Sequence, residues 1–146
     1  MPKKSDSLFK QRNKYLDDLG IPFHDYGVNW TLSETSKQNR RKWNKQREKY
    51  GFDDRETYCL NDRFAEWLYS HQMMYRKKAG CIVDLTYHMI DFEGETYTQL
   101  EAINKTIEWT AYYLRHRNDR DMGDECEEKL QRATRLWAEL LPYAWW

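Results

Sequence analysis

The chain has 146 residues, 33% of them Asp, Glu, Lys or Arg, with 24 Lys/Arg balancing 24 Asp/Glu. That length suits one domain with a real core, and no run approaches the ~20 apolar residues of a membrane span, so no membrane partner is expected. Three cysteines, Cys59, Cys81 and Cys126, are too few and too widely spaced for a disulfide framework or a four-ligand zinc site.

The elements follow in chain order. Residues 1–7 are polar and are expected to be flexible. Leu8, Tyr15, Leu16 and Leu19 outline a short helix that Gly20 ends and Pro22 keeps ended. Residues 21–32 are aromatic and irregular, an arm expected to lie on the core. Residues 33–50 read as a basic helix, capped near Ser33 or Thr35, in which Trp43 and Tyr50 share one face seven residues apart. Lys37, Arg40, Arg41, Lys42, Lys45, Arg47 and Lys49 make it a candidate partner-binding face, because clustered cations neutralise phosphates or an acidic protein surface.

Residues 53–79 read as one long central helix. Asp53 with Glu56 gives a capping-box pattern, and Arg76, Lys77 and Lys78 suit the negative end. Its apolar stripe is Leu60, Phe64, Trp67, Leu68, His71, Met74 and Tyr75, and Gly80 is expected to stop it in a left-handed conformation. A β-hairpin is expected at about residues 85–97, turning at Glu93-Gly94. Helices at 98–117, opened by Thr98 and Glu101, and at 124–141, stopped by Pro142, complete the chain. The tail Tyr143-Ala144-Trp145-Trp146 either folds back on the core or forms a contact patch. The fold class is therefore mainly α, a single-domain helical bundle of four or five helices with one small hairpin.

The neutral total hides an uneven layout. Residues 1–50 carry 12 Lys/Arg against 6 Asp/Glu, and residues 51–146 carry 12 against 18. Such a chain can associate with itself or meet a charged partner. Seven Trp, eleven Tyr and five Phe either fill the core, which is the plainer reading, or leave rings over for a surface, and Trp and Tyr are enriched at binding hot spots.

Little points to catalysis. The glycines are scattered at element ends rather than gathered in a phosphate loop, and His24, His71, His88 and His116 are far apart. Capping explains Asp53, Asp54 and Glu56. No cofactor or metal is expected, and the protein is read as a non-enzyme. Residues 1–6 lack the apolar run of a secretion signal, which makes the cytoplasm the expected location.

The segment Trp43-Asn44-Lys45-Gln46-Arg47-Glu48-Lys49-Tyr50-Gly51-Phe52-Asp53-Asp54-Arg55-Glu56-Thr57-Tyr58 resembles small proteins encoded by phages and prophages of Gram-positive bacteria. In these, a Tyr-Gly-Phe-x-x-Arg-Asp/Glu-Thr-Trp/Tyr motif opens a helix. The similarity covers roughly residues 36–141, and Tyr58 stands where Trp is commoner. The resemblance supplies no catalytic residues and implies a phage protein working inside a bacterial host. The leading expectation is a non-catalytic protein that binds a host protein or ribonucleoprotein, as an inhibitor of a defence system such as a CRISPR nuclease would. Complementarity would come from the basic helix or from the acidic residues 119–128. The alternatives are a nucleic-acid-binding accessory protein using residues 37–49, and small-nucleotide binding or cleavage in a cleft near the start of the central helix.

Overall fold

The computed structural model of the protein describes residues 12–22 and 36–146. The expected flexible residues 1–7, most of the aromatic arm, and the proposed caps Ser33 and Thr35 lie outside the described residues. The fold is mainly α with one small two-stranded antiparallel sheet. Among the described residues the helices are α1 (Lys14–Asp18), α2 (Lys37–Tyr50), α3 (Leu60–Ala79), α4 (Gln99–His116) and α5 (Gly123–Leu140); the strands are β1 (Met89–Phe92) and β2 (Glu95–Thr98). Packing divides the chain into two compact units between Phe64 and Ala65.

In the first unit, α1 spans Lys14–Asp18, and Leu8 of the expected helix lies outside the described residues. Asn13 caps it by accepting from the Leu16 N–H, and Leu16 is its buried residue. Ser36 caps α2, its hydroxyl accepting from the Asn39 N–H at 3.1 Å. Gly51 ends α2 at φ 84°, a conformation that favours glycine. Trp43 is buried, but Tyr50 is exposed, so the two rings do not jointly anchor the helix.

The central helix expected over 53–79 is broken. Asp53 does form the capping box with Glu56, but it opens a 3-10 turn, Asp54–Thr57. Tyr58 is then extended and Cys59 is left-handed at φ 48°, an uncommon conformation for a residue with a Cβ. A fresh helix starts at Leu60, with the Cys59 carbonyl accepting from Asp62 and Arg63. At the turn the Thr57 hydroxyl donates to the Asp54 carbonyl at 2.7 Å, and the Tyr58 N–H donates to the Arg55 carbonyl in the 3-10 manner.

In the second unit, the buried face of α3 is turned away from the expected stripe. Leu68 is fully buried, but Trp67 and Met74 are 45% and 51% exposed, and His71 is also exposed. Leu60, in the first unit, is exposed as well. The buried positions are instead Ala65, Glu66, Leu68, Tyr69, Ser70, Gln72 and Ala79. Their polar groups are satisfied internally: the Ser70 hydroxyl donates to the Glu66 carbonyl at 2.7 Å, and Arg117 pairs with Glu66 at 3.2 Å. Gly80 is not left-handed. Its requirement is steric, since a Cβ there would lie 2.7 Å from the Arg76 carbonyl oxygen.

The hairpin forms as expected, with Phe92 opposite Glu95 and both turn residues, Glu93 and Gly94, at positive φ. That pair of signs matches the strand twist. Glu93 then clamps the turn to α5, accepting from Arg132 at 2.6 Å and from Arg135 at 3.1 Å. The Thr98 hydroxyl caps α4 by accepting from Glu101. Helices α4 and α5 pack together, burying Ile103, Ile107 and Leu114 from one and Cys126, Ala133 and Leu136 from the other. Pro142 falls in a closing 3-10 turn, Leu141–Tyr143.

Candidate functional site

The seven cations singled out on the basic helix separate by helical phase. Positions three, four and seven apart share a face, and Trp43, Gln46, Arg47 and Tyr50 follow that spacing. This face meets the segment just after the helix. The Trp43 indole N–H donates to Asp54 at 2.9 Å, and Gln46 both donates to the Asp54 carboxylate and accepts from its backbone N–H. Arg47 donates to Asp53 at 3.1 Å and to Glu56 at 3.3 Å. Lys42 pairs with Asp54 at 3.1 Å. Arg40 is half-buried, and its Nε is sealed from solvent with no hydrogen-bond acceptor among the described residues.

The buried centre of this knot is Asp53 with Arg55. Arg55 reaches both carboxylate oxygens, Nε to Oδ1 at 3.0 Å and Nη2 to Oδ2 at 2.8 Å, and lies over the Trp43 ring at 4.0 Å. Asp53 and Glu56 are thus tied to arginines and backbone N–H groups, and Asp54 to Lys42, Trp43 and Gln46. Partial burial works to raise the Asp54 pKa, but hydrogen bonds from Lys42, Gln46 and Trp43 outweigh it and hold the carboxyl below its ordinary value.

Four cations remain on the other side. Lys37, Arg41, Lys45 and Lys49 are all exposed and recur every fourth residue. Each four-residue step advances about 6 Å along the axis, so the row is about 18 Å long. Each step also turns about 40°, so the row winds about 120° around the side of α2 away from Trp43 and brings Lys49 round to within about 100° of Tyr50. Glu48 is the one carboxylate within α2. At the end of the row, the Lys49 ammonium sits 5.1 Å from the Tyr50 ring centroid, and Tyr50 lies 6.4 Å from Phe52, tilted by 42°. Both rings are exposed, and together with Gln46, Asp53, Asp54 and Thr57 they line a shallow recess of about 250 Å³. The four-residue spacing of the row was present in the sequence; the ring pair was not signalled there.

The second unit carries a different surface. Trp67, His71, Met74, Trp137, Leu141 and Trp146 line a groove of about 410 Å³. Trp67 stacks on His71 at 4.4 Å and meets Trp137 edge-on at 5.5 Å. The C-terminal tail forms one bank. Its backbone is held from beneath: the Tyr75 hydroxyl donates to the Tyr143 and Trp145 carbonyls, and the buried Gln99 amide donates to Tyr143 at 3.0 Å. The backbone of the tail is thus docked, as the fold-back reading expected, while the Trp145 and Trp146 rings are about 60% exposed. His88 has a structural use, stacked on Tyr143 at 4.4 Å.

Among the described residues, no three His, Cys, Asp or Glu side chains are grouped to hold a metal ion, and no helix is long and apolar enough to cross a membrane. Comparison with protein-family models, curated proteins and solved structures finds no match to this chain.

Proposed function

We propose that the protein is a non-catalytic, phage-type binding protein that holds a polyanionic host partner, a nucleic acid or ribonucleoprotein, along the outer row of α2. The observation that carries this reading is the partition of the basic helix. Lys42 and Arg47 are engaged by Asp53, Asp54 and Glu56, while Lys37, Arg41, Lys45 and Lys49 are exposed along one winding strip. Four exposed cations with a single carboxylate in the helix suit a phosphate backbone. Covering such a partner is the means by which it would block a defence complex such as a CRISPR nuclease. The acids near the break support the non-catalytic reading, because each has a structural hydrogen-bonding role.

Titration of a labelled nucleic acid into the full chain tests the reading. Neutralising up to four phosphates gives a log K against log salt slope of about −3 to −4. Replacing Lys37, Arg41, Lys45 and Lys49 together with Gln is expected to flatten that slope and abolish binding at moderate salt. Binding that ignores salt, or that survives the four replacements, overturns it.

A further inference from the structure

We infer that the polyanion is a single-stranded nucleic acid, its phosphates following Lys37, Arg41, Lys45 and Lys49 and its bases stacking on Tyr50 and Phe52. This rests on the reading above and adds what the partner must be.

The row alone would suit any phosphate backbone. What selects among them is where it ends. Tyr50 and Phe52 are 59% and 49% exposed, a large apolar area for two adjacent rings to leave in water. Gly51 lies between them at φ 84°, and the turn brings rings two residues apart within 6.4 Å of each other. Their 42° tilt means that neither ring covers the other's face. The contact from Lys49 is a surface cation–π pair, weak enough for a base to replace it while the ammonium moves to a phosphate.

Bases inside a duplex have no free face to offer. Unstacked bases do, and a cationic track that leads to aromatic platforms is how proteins hold single strands without reading sequence. The recess beside the rings fits this use. At about 250 Å³ it is smaller than the pockets that enclose whole ligands, but it can take the edge of one base. Its polar lining is Gln46, Asp53, Asp54 and Thr57. Both carboxylates are already paired, Asp54 with Lys42 at 3.1 Å and Asp53 with Arg47 and Arg55, so neither faces the strand as a bare charge.

The test uses the full chain and four labelled probes of equal length: oligothymidine, its RNA counterpart oligouridine, a duplex, and an abasic phosphodiester. Tighter binding of the first two than of the duplex and abasic probes is expected, and the ratio between them tells DNA from RNA. Tyr50→Ala and Phe52→Ala are each expected to weaken single-strand binding about tenfold while leaving the abasic probe unchanged. Tyr50→Phe is expected to retain binding, since stacking needs the ring and not the hydroxyl. Circular dichroism checks that each variant is folded. Equal affinity for abasic and base-bearing strands, or preference for the duplex, overturns this inference and leaves the proposed function standing. Failure to bind any of the four overturns both.

Discussion

Arg55 grips Asp53 with three donors: two from its guanidinium, at 3.0 and 2.8 Å, and its own backbone N–H at 3.1 Å. Both side chains are almost wholly buried. A buried ion pair adds little over an apolar substitute, but removing Arg55 leaves the buried Asp53 carboxylate with Arg47 as its cation partner. Arg55→Ala is therefore expected to cost about 2–3 kcal/mol, toward the low end for a broken buried pair. Arg55→Lys is not expected to rescue it, since an ammonium cannot reproduce the two-pronged contact. Urea unfolding followed by amide exchange over residues 43–57 measures both; a loss under about 1 kcal/mol would show that the knot is dispensable.

The same chemistry sets a response to acid. Hydrogen bonds from Arg132 depress the Glu93 carboxyl in the folded protein, and those from Lys42, Gln46 and Trp43 depress Asp54 against partial burial. A folded-state pKa below the unfolded one gives stability that is complete above the unfolded value, about 3.9 for Asp and 4.3 for Glu, and fades as pH falls through the folded value. Glu93→Gln and Asp54→Asn should thus be less stable than the parent at neutral pH. The gap should close on acidification below about pH 4. Chemical denaturation at a series of pH values checks it, and a gap that widens in acid contradicts the assignment.

What the sequence revealed, and what it hid, follows one rule. Signals confined to neighbouring residues were legible. Thr98 with Glu101 marked the start of α4, and Glu93-Gly94 marked the hairpin turn. The start of α3 was not, because a carboxylate at Asp53 can cap an α-helix or hold guanidinium groups. Arg47, six residues back, is part of what decides it. The buried face of α3 was hidden for another reason. Glu66, Ser70 and Gln72 are buried with hydrogen-bond partners, and a hydrophobic period cannot register them. On α2 the number of cations was plain, but which of them point inward depended on where Asp53, Asp54 and Glu56 fold back.

The tail should detach without unfolding its unit. Its backbone is held chiefly by Tyr75 and Gln99, whose hydroxyl and amide converge on the Tyr143 carbonyl. Gln99→Leu removes one donor and is expected to cost about 1–2 kcal/mol locally. Amides of residues 144 and 145 should then exchange faster while those of α4 and α5 keep their protection. Simultaneous loss of protection in the helices would mean that the tail is an integral part of the core.

Trp67 and Leu68 are neighbours on α3 with opposite surroundings. Leu68 is fully buried, whereas Trp67 is 45% exposed and forms a wall of the 410 Å³ groove. Truncating a buried leucine leaves a cavity and costs about 2–5 kcal/mol. A tryptophan in a core would cost as much or more, about 3–5 kcal/mol. Here the order should reverse. Trp67→Ala loses contacts with His71 and Trp137 but opens no closed void, because the groove is already in contact with water. Leu68→Ala is expected to lower the urea midpoint by at least twice as much as Trp67→Ala. Equal losses would mean that the groove closes in solution, and that the stripe read from Trp67, His71 and Met74 belongs to the core after all.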